Sequence, residues 1–132
     1  MNVLSGIVKE IQSQGNLSLV KVTVTDLDLT SIVIETPEST DYLQVGTSVK
    51  VMFKETEVIM SKEMGPGISL QNQIPVLVTE LREGILLSEL TLDFNGNSLR
   101  SIITSRAVHQ LALREGVKAV AMIKTNEVML AR

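Results

Sequence analysis

The sequence predicts a mainly β protein built as two tandem five-stranded barrels, and three observations predict it. The chain repeats itself. Leu43-Gln44-Val45-Gly46 returns as Leu113-Arg114-Glu115-Gly116, and Phe53-Lys54-Glu55-Thr56-Glu57-Val58 returns as Ile123-Lys124-Thr125-Asn126-Glu127-Val128, each seventy residues on. The same offset pairs Ser31-Ile32 with Ser101-Ile102, Leu17-Ser18 with Leu87-Ser88 and Val8-x-Glu10 with Val78-x-Glu80, without a gap. Hydrophobic residues make up 44% of the chain, yet only Tyr42, Phe53 and Phe94 are aromatic, so the core must be Val, Ile, Leu and Met, which suits packed strands. Between the copies, Gly65-Pro66-Gly67 is a turn or linker signal.

Each copy reads the same way along the chain. In the first, Leu4 to Ile11, Leu17 to Val24 and Leu29 to Ile34 carry the alternating or continuous apolar runs of strands. Thr36-Pro37-Glu38-Ser39 offers a polar cap, a proline for the first turn and an acid beside it, predicting a short helix that ends by Gly46. Val49 to Phe53 and Val58 to Met60 complete five strands. The second copy predicts strands at Pro75 to Leu81, Leu86 to Phe94, Leu99 to Thr104, Val117 to Lys124 and Val128 to Leu130, with a helix from Ser105 to Leu113. Five strands with a short helix between the third and fourth describe an OB-like barrel. The expected division is a first module over 1–62, a linker over 63–68 and a second module over 69–132. A barrel of about 60 residues is marginal alone, so packing between modules or between subunits is expected.

Composition closes several function classes. The net charge is −3, and the clustered Lys and Arg that bind phosphate backbones are missing, which argues against a nucleic-acid binder. With no cysteine and a single histidine, His109, the chain lacks a thiolate site and a histidine cluster. No run of residues reaches membrane-spanning length, and Met1 to Gly6 does not resemble a signal peptide, so the expected compartment is the cytoplasm. No nucleophile elbow, phosphate loop or zinc-protease helix motif appears, and the expectation is a binding protein, not an enzyme.

What stands out instead is a set of hydrogen-bond donors at strand ends. Thr104 and Ser105 fall where a strand meets a helix start. Lys54 and Lys124 occupy the same place in both copies, at the end of a strand and just before a tight connection.

The run Ser69-Leu70-Gln71-Asn72-Gln73-Ile74 resembles the Ser-Ala-Arg-Asn-Gln-Leu opening of the molybdenum-pterin-binding (Mop) domain, a member of the transport-associated OB (TOBE) superfamily. The stretch from Ser101-Ile102-Ile103-Thr104 through Ala107-Val108 and Leu111-x-Leu113-x-x-Gly116 to Ile123-Lys124-Thr125-Asn126-x-Val128 is similar to the rest of that domain. The resemblance implies an intracellular binder of molybdate or tungstate, serving storage or homeostasis, assembled as a homotrimer with the anion held between subunits. Carried over by position, the donors are Ser69, Thr104, Lys124 and the Thr125 backbone N–H, with Gln71 in place of the motif's arginine and Asn72 in a local structural role. Ser105 and Lys54 complete the candidate set. A tetrahedral dianion suits such a ring, because each oxygen accepts from hydroxyl, amide or ammonium donors. The alternative is a degenerate module of the same superfamily that serves assembly or partner binding without an oxyanion. Copy one carries Ile34 where copy two has Thr104, and Glu55 where copy two has Thr125, so binding is expected to depend mainly on copy two.

Overall fold

The computed structural model describes all of residues 1–132. The first copy supplies β1 (Asn2–Gln14), β2 (Leu17–Val24), β3 (Leu27–Val33), β4 (Ser48–Phe53) and, after a 3₁₀ turn at Glu55–Glu57, β5 (Ile59–Ser61). The second supplies β6 (Asn72–Glu83), β7 (Leu87–Phe94), β8 (Asn97–Thr104), helix α1 (Ser105–Gln110), β9 (Lys118–Ile123), a 3₁₀ turn at Thr125–Glu127 and β10 (Met129–Ala131). The strands follow their alternation: Leu4 and Val8 of β1 point inward with Val20, Val22 and Val24 of β2, as do Ile74, Val76 and Val78 of β6 with Leu90, Leu92 and Phe94 of β7. Both long first strands carry an irregularity at the same repeat position, between Val8 and Glu10 and between Val78 and Glu80. Such bulges bend and coil a strand, which lets one strand serve both sides of a barrel.

The two sheets are not assembled each from its own copy. Their strand orders are β10-β4-β1-β2-β3 and β5-β9-β6-β7-β8, so each copy gives its last strand to the other. Met129, Leu130 and Ala131 pair with Met52, Val51 and Lys50, while Ile59, Met60 and Ser61 pair with Met122, Ala121 and Val120. The 3₁₀ turn after each of β4 and β9 carries the chain off its own barrel and onto the open edge of its neighbour. By chain position β5 belongs to the first copy; by hydrogen bonding it belongs to the second barrel.

Polar side chains at repeat-related positions lock this exchange. Asn2 donates from Nδ2 to the Arg100 carbonyl and accepts from the Arg100 N–H, both at 2.8 Å. Asn72 does the same to Thr30, at 2.8 and 2.7 Å. Each asparagine therefore mimics one residue of a neighbouring strand, and its reach crosses between copies instead of staying local. Ser31 donates to the Val128 carbonyl at 2.6 Å and Ser101 to the Val58 carbonyl at 3.0 Å, tying each exchanged segment down. The buried apolar residues of both copies form one continuous core.

The expectation of a short helix in each copy holds only for the second. The Ala107 N–H donates to the Thr104 hydroxyl oxygen at 3.1 Å, capping α1. At the same repeat positions the first copy has Ile34, which cannot cap, and Pro37, which has no N–H to be capped. Residues 36–40 form a single turn, in which Ser39 and Thr40 donate to the Thr36 carbonyl. The segment is held instead by Tyr42, whose hydroxyl donates to Glu35 at 2.6 Å, and by Ser18, which donates to the Glu35 carbonyl at 2.5 Å. Partial burial and the neighbouring Glu35 carboxylate push the Tyr42 phenol up to about 12. Helix α1 stops at Gln110, short of Leu113, because Ala112 turns left-handed (φ 52) and its N–H and that of Leu113 close back on His109 and Val108.

Replacing Asn72 with Ala strips two hydrogen bonds and leaves the Thr30 N–H and carbonyl without partners. The expected loss is about 2–3 kcal/mol, with Asn2→Ala costing a similar amount. Denaturant unfolding checks this, and the wild type should unfold in one transition because the two copies share a core.

Candidate functional site

Four of the candidate residues gather at one end of the second barrel. The β6–β9 ladder ends at the pair Asn72 and Ile123. One step beyond it, the register sets Gln71 beside Lys124, and Thr125 opens the following 3₁₀ turn. Ser69 lies just upstream on an exposed segment that runs past Leu27 and Asp28 of the first copy. Gln71 also lines a depression with Thr30, Lys21 and Glu10, the last two paired at 3.3 Å, so this corner is made where the two copies meet. Its donors are the exposed Lys124 ammonium, the Gln71 amide and the Thr125 and Ser69 hydroxyls and amides.

Thr104 and Ser105 are elsewhere. Thr104 pairs with Leu87 beyond the far end of β6, a strand of 12 residues, so neither can share one small ion with Lys124 of the same chain. The two also differ from each other. Thr104 is exposed and its oxygen already accepts from Ala107, which leaves its hydroxyl hydrogen free. Ser105 is buried, with its hydroxyl shared with Ser88 at 2.7 Å and donated to the Gly84 carbonyl at 2.7 Å, and its N–H donated to the Leu86 carbonyl at 2.8 Å. Its donors are therefore spent on anchoring α1 to the β6–β7 turn. That turn exposes Ile85, Leu86 and Leu87, at 97, 79 and 58%, and with Thr104 and Arg106 they line a shallow depression.

Lys54 marks a corner of the first barrel related by the repeat to that of Lys124. The β1–β4 ladder ends at Asn2 and Phe53, and Lys54 follows. Here the next residue is Glu55, whose carboxylate pairs with the Met1 α-ammonium. That bond, a backbone amide and the nearby Arg100 hold Glu55 below the usual carboxylate range, against some desolvation. The two corners are electrostatically linked: the Glu57 carboxyl beside Glu127 raises the latter's affinity for its proton, and both Lys124 and Lys54 are near enough to oppose this.

Sequence reasoning missed Thr30, Arg100 and the cross-copy role of the asparagines. A signal existed, since Asn2 and Asn72 are identical polar residues at one repeat position, but nothing local indicates that their partners lie on the other copy. His109 is on the exposed side of α1 and meets Glu83 at 2.6 Å, away from these corners. A groove between Pro75 to Leu77 and Asp93 to Asn95 sets Asp26 and Asp93 against Lys118, a balance unsuited to a dianion.

Residues 68–130 match the model of the TOBE domain. Molybdenum-pterin-binding protein 1 of Clostridium pasteurianum is 36% identical over 65 residues, which span 48% of this chain and 96% of that protein. Molybdenum-pterin-binding protein MopB of Rhodobacter capsulatus is 30% identical over 106 residues, covering 79% of this chain and 39% of that one. A crystal structure of the cytoplasmic molybdate-binding protein ModG, with molybdate bound, superposes with a TM-score of 0.91 at 27% identity, over 98% of this chain and 94% of the other.

The carboxyl pair between the corners predicts a pH dependence. Folding raises the Glu127 pKa, so its stabilising contribution is fully present below the ordinary glutamate value, about 4.3, and is lost as pH rises through the folded value. Glu127→Gln should therefore raise stability at pH 7, by less than about 1 kcal/mol because the groups are largely solvated, and the gain should vanish near pH 4. Thermal melts of both proteins across this range read the difference.

Proposed function

The chain belongs to the molybdenum-pterin-binding protein family, and on that premise we propose that it binds molybdate as an intracellular storage or homeostatic protein, with tungstate as an equivalent ligand. The observation that carries this reading is the Lys124 corner: an ammonium at the end of a rigid ladder, beside the neutral donors of Gln71, Thr125 and Ser69, with no carboxylate directly after the lysine. Convergent donors favour a dianion with no proton of its own, since a protonated oxygen would set donor against donor. Tungstate has the same shape and charge, so these donors serve it alike. The motif arginine is replaced by Gln71, which keeps a donor but loses the charge and the two-pronged geometry, so affinity rests more heavily on Lys124.

A homotrimer fits this reading. Thr104 and Lys124 lie at opposite ends of β6, so an ion that uses both takes them from different chains. The exposed Ile85, Leu86 and Leu87 beside Thr104 supply apolar surface for such a contact. The acidic composition opposes nucleic acid as a partner. A cytoplasmic location is supported by the likeness to ModG, and the chain has no helix long and apolar enough to cross a membrane. In this role the protein holds its ligand without transforming it.

Lys124→Ala removes a charge-assisted hydrogen bond worth roughly 1.5–3 kcal/mol, so the affinity for molybdate should fall at least tenfold, and Lys54→Ala should do less. Equilibrium dialysis with metal analysis of the bound fraction measures both. Equal losses would show that the corners contribute alike, and no binding by the wild type would favour the assembly reading.

Light scattering at micromolar concentration should give the mass of three chains. A monomer would remove the intersubunit site.

A further inference from the structure

The link between the copies, Lys62 to Gln71, is constrained by the sheet it joins. Strands β5 and β6 lie on either side of β9 and are both antiparallel to it, so they run parallel to each other, and the chain between them has to cross β9. It crosses on the outer side. Ala119, Ala121 and Ile123 of β9 belong to the core, whereas Val120 and Met122 lie outside it and are buried all the same. At the same repeat positions in β4, Lys50 is exposed and Met52 only half-buried.

One side chain pins the link there. Gln73 is the register partner of Met122 and stands on the face of β6 opposite the buried Asn72 and Ile74. Its Oε1 accepts the Gly65 N–H at 2.9 Å, and its Nε2 donates to the Gly65 and Leu70 carbonyls, both at 2.9 Å. A single amide thereby closes residues 65–70 into a loop. Ser69 sits inside that loop and Gln71 follows it directly, and both are exposed, so packing does not fix them. The two donors that the link brings to the Lys124 corner are therefore placed by Gln73. Val3, at the same repeat position in copy one, can make none of these bonds.

We propose that Gln73 is a positioning residue for the oxyanion site: by holding Gly65 and Leu70 it sets the link in the course that presents Ser69 and Gln71 beside Lys124. Gln73 itself touches no ligand. Its contribution is that the donors are already ordered when the anion arrives, so that binding does not have to order a free loop. The coupling is reciprocal. An anion held by Ser69 and Gln71 must in turn make the bonds between Gly65 and Gln73 harder to open. The inference rests on the oxyanion reading of the Lys124 corner, and the test tells the failure of one from the failure of the other.

The test is a double-mutant cycle on the full chain, read by equilibrium dialysis against sodium molybdate, with thermal melts to establish that each variant is folded. Gln73→Met keeps an unbranched side chain and removes all three bonds, and the dissociation constant should rise roughly tenfold, as expected when one or two neutral hydrogen bonds to the ligand are lost. Gln71→Ala should weaken binding on its own but add little to Gln73→Met, because a donor that is no longer placed has little left to lose, whereas a merely structural glutamine would leave the two effects additive. Gly65→Pro attacks the same contact from the link, where a side chain meets nothing within 4 Å, and should weaken binding in the same direction without touching the sheet. Saturating molybdate should slow hydrogen exchange at the Gly65 amide of the wild type and not in Gln73→Met. If folded Gln73→Met and Gly65→Pro bind as tightly as the wild type, or if Gln71→Ala costs the same in both backgrounds, the proposal is overturned while the oxyanion reading stands. A wild type that binds no molybdenum overturns both.

Discussion

The reciprocal exchange of β5 and β10 is the constraint on which the rest of the molecule depends. Each barrel lacks a strand until the other copy supplies it, so neither half closes by itself. A domain of about 60 residues buries only about 60% of its unfolded surface, whereas one near 150 residues buries about 68–70%. Merging the halves moves the chain toward the second regime and gives it a single core. It also decides where the corners form, because an exchanged strand begins directly after each 3₁₀ turn, and the turn begins directly after each lysine.

Polar groups inside the core keep this arrangement specific. The buried polar residues are Asn2, Ser18, Ser31, Asn72, Ser88, Ser101 and Ser105, and all but Ser105 form repeat-related pairs. No buried side-chain polar atom is left without a partner. An apolar core alone would tolerate sliding of two similar sheets past each other, while an unpaired amide costs about 1–3 kcal/mol, so the clasps penalise every other register.

On this conserved frame the copies have diverged in opposite directions. The second keeps a capped helix and follows its lysine with the neutral Thr125, and it projects Ile85 and Leu86 from the turn where the first copy has only Gly15 and Asn16. The first has lost the helix cap and latches its loop with Tyr42 and Glu35. It also places a carboxylate after its lysine. Divergence at exposed strand ends leaves the core untouched, since Lys54, Lys124 and Gln71 all stand outside it.

The sequence by itself determined the repeat, all ten strands to within a few residues of their ends, the helix of the second copy, and the family resemblance that points to Lys124 and its neighbours. These are local or periodic properties: alternation reports a half-buried strand, and a fixed offset reports duplication, wherever the elements end up. It misjudged the first helix because Pro37 reads as a good first-turn residue until its missing N–H falls at the position that the cap must engage. Only the tertiary structure decided which barrel each last strand enters, for Val58-Ile59-Met60 and Val128-Met129-Leu130 are chemically interchangeable and either edge would accept either strand. For the same reason it alone set Ser105 apart from Thr104, Arg100 beside Glu55 and Thr30 beside Asn72: which donors are spent and which charges meet depends on contacts between residues far apart in the chain, and no short pattern encodes them.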